Sequence, residues 1–183
     1  MKAVDITYFV YGTTPDNEQG KASGQADIGL SRLGIKQSHE LKELIGDRKF
    51  DAVFCSDLKR AVNTARIVFG KAIQDKRLRE IDYGDLTQTD KSKFEGRMAD
   101  YVDSPYPNGE SYRDVERRIK SFLEEVSEKY AGKHIAIVSH QAPQLALDVL
   151  LKGKSWEQAI REDWRKPSGW RPGWEYRLEE GKL

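Results

Sequence analysis

Apolar residues along the chain form short continuous runs, separated by segments in which they recur every three or four positions. The continuous runs predict buried strands at residues 3–11, 51–55 and 134–139. The recurring spacing predicts helices over residues 32–45, 57–69, 90–101, 111–130, 141–151 and 155–164. Alternation of apolar and polar residues at 173–178 predicts an edge strand.

Polar residues mark the start of two of these helices. Ser31 precedes the helix at 32–45 and can cap it, and Ser111 with Asp114 forms a capping-box pattern ahead of the long helix. The many charged residues of that long helix predict a solvent-facing surface.

Strands that alternate with helices predict an α/β fold with a largely parallel sheet. We expect a three-layer sandwich, in which helices cover both faces of the sheet. No linker, repeat or low-complexity tract interrupts the sequence, which predicts one domain over residues 1–183. Residues 84–110, which we call the lid segment, have the weakest pattern and are expected to cover a site.

The charge balance argues against nucleic acid or an anionic membrane as a partner. The 183 residues include 31 Lys and Arg against 30 Asp and Glu, so the net charge of +1 produces no broad field for nucleic acid or an anionic membrane. No apolar run approaches the length of a bilayer span, and no signal pattern is visible. Cys55 has no second cysteine to pair with, and the three histidines lack metal-ligand spacing. We therefore expect a cytoplasmic protein without a metal or other cofactor.

Residues suited to phosphate chemistry follow the three predicted strands. Asn17 lies in the turn after the first strand, Arg60 follows the second, and His140 follows the third. Glu80 lies between the second and third strands. Ligands of open α/β sheets bind beyond the carboxyl ends of the strands, so we expect these side chains to converge. Asn17, Arg60 and His140, the last a cation if it is protonated, would hold a phosphate monoester, and Glu80 would protonate its leaving group.

Each of these residues also has an ordinary interpretation. His140 can be a satisfied core residue, Arg60 a surface residue and Asn17 a turn residue; only their joint position at strand ends favours a site. A cysteine phosphatase is excluded because its Cys-x5-Arg loop would require Arg where the chain has Ala61. Cys55 is instead expected to pack in the core.

Six segments, in chain order, carry a family resemblance. They are Gly12-x-Thr14-x-x-Asn17, Asp27-x-x-Leu30-Ser31, Ser56-Asp57-Leu58-x-Arg60-Ala61, Leu78-Arg79-Glu80-x-x-Tyr83-Gly84, Gly109-Glu110-Ser111 and Val138-Ser139-His140. Together they resemble the motifs of the histidine phosphatase superfamily, which has the phosphoglycerate-mutase-like fold. The resemblance covers most of the chain.

The resemblance implies a mechanism that needs no metal. In that family a histidine attacks phosphorus and carries the phosphoryl group as phosphohistidine. Glu80 would protonate the leaving alkoxide and then activate water, and His140 would stabilise the transferring group. The residues implied to bind the substrate phosphate are Thr14, Asn17, Arg60 and Gln141.

Positions 10 and 11 depart from the family pattern. The motif has Arg and His before its Gly. Aligned without a gap, this chain has Val10 and Tyr11 there; aligned with a one-residue deletion, one member is missing and the other is Tyr11. Neither Arg nor His is present in either alignment. Losing a charge-assisted phosphate contact costs about 1.5–3 kcal/mol, and losing a nucleophile costs on the order of 10⁶ in rate. A free phenol is only about 0.1% ionised at neutral pH, so Tyr11 is expected to fill the pocket or to hydrogen-bond an anion.

Three hypotheses follow for the catalytic position. The first is a phosphatase that is impaired or inactive because an incidental or engineered Tyr11 stands at the nucleophile position. The second is a non-catalytic protein that binds a phosphoester, and the third is catalysis through Tyr11. The retained Asn17, Arg60, Glu80 and His140 favour the first.

The ligand is expected to be a small phosphorylated molecule. The short chain favours hydrolysis over a mutase reaction, because mutases of the family carry inserted segments. The aromatic residues near the C-terminus either pack on the sheet or line the substrate site: Trp156, Trp164, Trp170 and Trp174. Three cations there either reach a second anionic group or are solvated: Arg165, Lys166 and Arg171. The oligomeric state stays open.

Overall fold

A computed structural model of the chain describes residues 2–165 and 173–183, in which five strands form one sheet. The strands are β1 (Val4–Val10), β2 (Ala52–Cys55), β3 (Ile73–Gln74), β4 (His134–Ser139) and β5 (Trp174–Leu178). Their order is β3-β2-β4-β1-β5. The first four pair in parallel, and β5 runs antiparallel along β1 as the edge strand.

Helices connect most of the strands, including the antiparallel β5. They are α1 (Pro15–Glu18), α2 (Arg32–Ile45), α3 (Lys59–Phe69), α4 (Tyr112–Lys129), α5 (Gln141–Lys152) and α6 (Trp156–Arg161). Short 3₁₀ helices occupy the stretch between β3 and α4, at Lys76–Leu78, Gly84–Leu86, Lys91–Lys93 and Glu95–Tyr101. None of the helices described has both the length and the apolar character needed to cross a membrane.

The two faces of the sheet bury different side chains, because neighbouring residues of a strand point to opposite faces. Phe9 and Val138 belong to a cluster that contains residues of α2 and α3. Tyr8 and Ile137, their chain neighbours, belong to a larger cluster that contains residues of α4, α5 and α6. The predicted α/β sandwich, mostly parallel with helices on both faces, is confirmed.

The predicted element boundaries are mostly confirmed. β4 and α2 match the predicted ranges, and the predicted caps form: Ser31 accepts from the Gly34 N–H at 3.2 Å, and Ser111 and Asp114 make a capping box. The elements α1 and β3 were not predicted, because four and two residues are too few to show a period. The segment predicted to be helical at 90–101 is helical, and its helices, at Lys91–Lys93 and Glu95–Tyr101, are of the 3₁₀ type.

The lid segment is continuous with the main core. Its residues Phe94, Met98 and Tyr106 are buried in the cluster that packs on α4. The ring of Tyr106 contacts both Tyr83 and Phe94, with centroids 5.0 and 5.6 Å apart. This packing holds the lid segment close to the carboxyl ends of the strands.

Candidate active site

A pocket lies beyond the carboxyl ends of β1 and β2. Four of the predicted site residues line it: Tyr11, Asn17, Arg60 and Glu80. The lid segment contributes further lining residues, Lys91, Phe94, Glu95 and Met98. An adjoining hollow is lined by Tyr11, Glu80, Gln141 and Val10, among others. Side chains that are distant in sequence therefore converge as predicted.

Tyr11 occupies the position directly after β1. Its backbone N–H donates to the Ser139 carbonyl at 3.2 Å, which continues the pairing of β1 with β4. Its ring lies 5.1 Å from the His140 ring and 4.9 Å from the guanidinium carbon of Arg60. The Tyr11 ring therefore lies against both of the basic side chains that are expected to hold phosphate.

His140 is completely buried, and neither ring nitrogen has a hydrogen-bond partner among the residues that the structure describes. Its backbone is held by Tyr8, whose hydroxyl donates to the His140 carbonyl at 2.6 Å and accepts from its N–H at 3.0 Å. Burial, with the nearby charges of Arg60 and Arg118, lowers the pKa of His140 well below its usual value. At neutral pH the His140 imidazole of the ligand-free protein is therefore neutral, so the condition for a second cation, a protonated His140, is not met there.

We expect this neutral His140 to make folding stability pH-dependent. Below pH 6.5 the unfolded chain binds a proton at this residue that the folded chain does not. The free energy of unfolding should therefore fall by about 1.4 kcal/mol per pH unit below pH 6.5, until the depressed folded pKa is reached. Urea unfolding between pH 8 and 5.5 measures this slope, which His140→Gln should flatten. The exposed His39 provides a matched control, and an equal slope change in His39→Gln would contradict the assignment.

Arg60 is fully buried on the first turn of α3, so its interpretation as a surface residue is wrong. Its two terminal nitrogens donate to the carbonyls of Ala26 and Gly24, at 2.8 and 2.6 Å. The Nε atom has no partner within residues 2–165 and 173–183. The backbone contacts fix the plane of the guanidinium beneath the Tyr11 ring.

Glu80 is 6% exposed, and its carboxylate accepts only backbone N–H groups among the contacts of the described residues. Oε1 accepts from Ile81 at 3.0 Å and from Ala142 at 2.9 Å, and Oε2 accepts from Gln141 at 3.2 Å. The side chain of His140, the N-cap residue, makes no capping bond. The Glu80 carboxylate therefore caps α5 and satisfies N–H groups that the helix itself leaves free.

The turn after β1 is held by its own hydrogen bonds. Thr14 and Asn17 form a capping box, in which each side-chain oxygen accepts the other residue's N–H. The N–H groups of Gly12 and Thr13 donate to Thr64 and Gln37. Four N–H groups of this turn are therefore already used, at Gly12, Thr13, Thr14 and Asn17, while the Asn17 residue is exposed and lines the pocket. The role of the buried Thr14 in phosphate binding stays a prediction.

Gln141 connects the site to the C-terminal part of the chain. Its side-chain nitrogen donates to Asp163 at 2.7 Å, while its Oε1 has no partner in the described part of the chain. Asp163 also pairs with Arg165 at 2.9 Å. The Arg165 side chain lines both hollows, which supports the expectation that it reaches a ligand.

Two pocket residues had no distinguishing signal in the sequence. Lys21 and Lys91 line the pocket, and they are neighbours because Lys21 pairs with Asp90 in an isolated bridge. Lys91 lies 3.8 Å from Glu95, and Arg165 lies at the same distance from the same carboxylate. Isolated lysines carry no local pattern that marks a pocket residue, so only the fold could bring these cations to the site.

Other sequence expectations have simpler outcomes. Trp156 and Trp174 are buried in the main core, whereas Trp170, Lys166 and Arg171 lie outside the described residues. Cys55 is buried as predicted, and burial raises the pKa of its thiol to about 11. The described ranges contain no group of three or more His, Cys, Asp and Glu side chains arranged to hold a metal ion.

Comparison with known proteins finds a family profile and relatives that are described as phosphatases. The profile of the histidine phosphatase superfamily (branch 1) matches residues 11–170. The chain is 33% identical over 147 residues to the uncharacterized phosphatase PhoE of Bacillus subtilis, which covers 78% of this chain and 75% of that protein. It is 31% identical over 147 residues to the adenosylcobalamin/alpha-ribazole phosphatase of Escherichia coli, with 72% and 70% covered.

Solved structures match over most of the chain. A mycobacterial glucosyl-3-phosphoglycerate phosphatase superimposes with a TM-score of 0.76 at 26% identity, covering 87% of this chain and 84% of that one. The alpha-ribazole phosphatase of Shigella flexneri gives a TM-score of 0.74 at 29% identity, with 86% and 84% covered.

Proposed function

This chain belongs to the histidine phosphatase superfamily (branch 1), and we propose that it is a phosphomonoester phosphatase of that family whose turnover is impaired by Tyr11. The observation that carries the proposal is the position of the Tyr11 ring, against both the Arg60 guanidinium and the His140 ring. An attacking imidazole of the family would have to lie there. A phenol offers no imidazole nitrogen, and the neighbouring Val10 supplies no charge.

The remaining machinery supports binding of a phosphoester. Arg60 provides a fixed positive charge, Asn17 lines the pocket, and the buried Glu80 lies beside both. A phosphate dianion next to His140 would favour its protonated form, because a neighbouring opposite charge stabilises a cation. His140 would then become the second cation of the site, beside Arg60, when the ligand binds.

A second candidate function is phosphoester binding without any turnover. The complete burial of His140 favours it, because the imidazole is closed off from solvent in the ligand-free protein. In that case the protein is non-catalytic by nature. Tyr11 then contributes to ligand binding and is not an incidental replacement of a nucleophile.

One assay tests the proposal against this alternative. Phosphate release from p-nitrophenyl phosphate is measured for the native chain, Tyr11→Phe and Tyr11→His, and ester binding is measured by calorimetry. Activity that appears only in Tyr11→His supports impaired turnover. Binding without activity in all three supports the non-catalytic function, and native turnover that disappears in Tyr11→Phe supports catalysis through Tyr11.

We also propose that the ligand carries a second anionic group. Lys21, Lys91 and Arg165 surround the pocket beyond Tyr11, and only part of their charge is offset by Glu95 and Asp163. The glucosyl-3-phosphoglycerate named for the mycobacterial relative carries a carboxylate besides its phosphate. A small phosphorylated carboxylic acid therefore fits the charges of this pocket.

Removing the charge of Lys91 should weaken binding of such a ligand selectively. Lys91→Met is expected to lower affinity for 3-phosphoglycerate about fivefold, the equivalent of about 1 kcal/mol for a partly exposed ion pair. Affinity for glycerol 3-phosphate, which lacks the carboxylate, should change less than about twofold by the same estimate. Calorimetry measures both. Lys93→Met is the matched control, because Lys93 is exposed and absent from the pocket lining; equal losses for both esters would contradict the second-anion proposal.

Two broader proposals accompany this function. The chain forms one domain, which is supported by the single sheet shared by residues from both ends of the sequence. Its location is cytoplasmic, which is supported by the buried, unpaired Cys55.

A further inference from the structure

Arg118 lies on α4, where the charged residues were predicted to face solvent, but its side chain is only 16% exposed. Every nitrogen of its guanidinium donates a hydrogen bond. Nη1 donates to the carbonyls of Arg77 and Arg79 at 2.6 and 2.7 Å. Nη2 donates to the Glu80 carbonyl at 3.1 Å. The prediction of a solvent-facing role is wrong for this residue.

Glu110 completes the contact. Its carboxylate accepts from Nε and Nη2 of Arg118, both at 3.0 Å. The same carboxylate accepts the Asp82 N–H at 3.0 Å. Arg118 and Glu110 therefore hold the main chain on both sides of Glu80. Arg118 binds the carbonyls that precede Glu80 and the carbonyl of Glu80 itself, and Glu110 binds the N–H of Asp82, which follows it.

The side chain of Glu80 leaves this fixed main chain in the direction of α5. Its carboxylate receives the N–H groups of Gln141 and Ala142, which do not contact Arg118 in the described structure. Gln25 adds one more bond to the Glu80 carbonyl, at 3.1 Å. Arg118 on α4 therefore fixes the main chain from which the Glu80 carboxylate extends towards α5.

We propose that Arg118 is the positioning residue for Glu80, the acid of the proposed phosphatase reaction. The inference rests on the proposed function only for the role of Glu80, since the contacts stand without it. Arginine is required because its planar fork reaches three carbonyls and a carboxylate at once. A lysine ammonium has three donors on a flexible stem and cannot reproduce that arrangement.

The first experiment uses the native chain and does not depend on turnover. Amide NMR follows the N–H groups of Gln141 and Ala142, which report the position of the Glu80 carboxylate. Arg118→Gln should shift both resonances, and Arg118→Lys should shift them in the same direction. Arg117→Gln is the matched control, because the adjacent Arg117 is 71% exposed and pairs only with Asp114 among the described residues.

The second experiment measures ester hydrolysis by the Val10→Arg/Tyr11→His double variant, with and without Arg118→Gln. In that background Arg118→Gln is expected to misplace the Glu80 acid. It should lower kcat/KM for phenyl phosphate by roughly 10²-fold, the lower range for general acid catalysis. The p-nitrophenyl ester should slow much less, because its leaving group departs without protonation. KM should change little for either ester.

The outcomes separate the two proposals. Unshifted Gln141 and Ala142 resonances in Arg118→Gln, or an equal loss of kcat/KM for both esters, would overturn the positioning role. If the double variant hydrolyses neither ester, the proposed phosphatase function fails, and the amide shifts still decide whether Arg118 places Glu80. Should Arg118→Gln not fold, Glu110→Gln keeps the three carbonyl bonds and is expected to give a smaller shift in the same direction.

Discussion

Changing Val10 to Arg and Tyr11 to His together is expected to raise kcat/KM for p-nitrophenyl phosphate by at least about 10³-fold. Removing a nucleophile from a concerted site costs on the order of 10⁶ in rate, so restoring it should recover a large part of that factor. The imidazole would replace the Tyr11 ring against Arg60 and His140, where the structure provides a fixed guanidinium on one side. Phosphate release at saturating and limiting ester measures both kcat and KM.

The two changes should contribute differently. Arg at position 10 adds a charge-assisted contact of about 1.5–3 kcal/mol, so Tyr11→His alone should fall roughly 10- to 100-fold short of the double variant. Val10→Arg alone should bind ester more tightly without turnover. Glu80→Gln in the double variant serves as the control, because it removes the acid and leaves the nucleophile. A double variant that binds ester and releases no phosphate would refute impairment through Tyr11.

Gly34→Ala should destabilise the fold by about 3 kcal/mol, the upper range for overpacking. A Cβ at Gly34 would lie 2.0 Å from the Thr13 carbonyl oxygen, which is backbone and cannot turn away. Alanine ordinarily favours a helix over glycine by about 1 kcal/mol, so the expected sign here is opposite to the helix preference of α2. Urea unfolding at neutral pH measures the change.

The same substitution should displace the turn that carries the site. Gly12 meets Gly34 equally closely, since a Cβ at Gly12 would lie 2.3 Å from the Gly34 carbonyl. The control is Gly29→Ala, where the nearest atom to an added Cβ is 3.8 Å away, and stability should change by less than about 0.5 kcal/mol. A Gly34→Ala protein as stable as Gly29→Ala would show that the contact between the turn and α2 can relax.

Much of the fold was predictable because its elements are long enough to show a period. The apolar run of β4 and the helical spacing of α2 each identified the element and its range. The 3₁₀ helices of the lid segment were not predictable in type, since tertiary packing of Phe94 and Met98 decides their geometry. β3 is two residues long and exists only because it pairs with β2.

The candidate site divides in the same way. Asn17, Arg60 and Glu80 were expected at the strand ends, and all three line one pocket. Lys21 and Lys91 were not expected, because an isolated lysine has no pattern that distinguishes a pocket residue from a solvated one. Their roles, like those of the expected residues, stay predictions until ligand binding is measured.

By itself the sequence determined the alternation of strands and helices, the family motifs, and the Val10 and Tyr11 departures, because these are properties of residue type and local spacing. Only the tertiary structure decided that His140 is neutral, that Glu80 caps α5 and that Arg118 holds the main chain of Glu80. Each of these depends on which groups approach within a few ångströms of one another across separate elements. Burial and hydrogen bonding act at that range, and no local pattern of the chain encodes them.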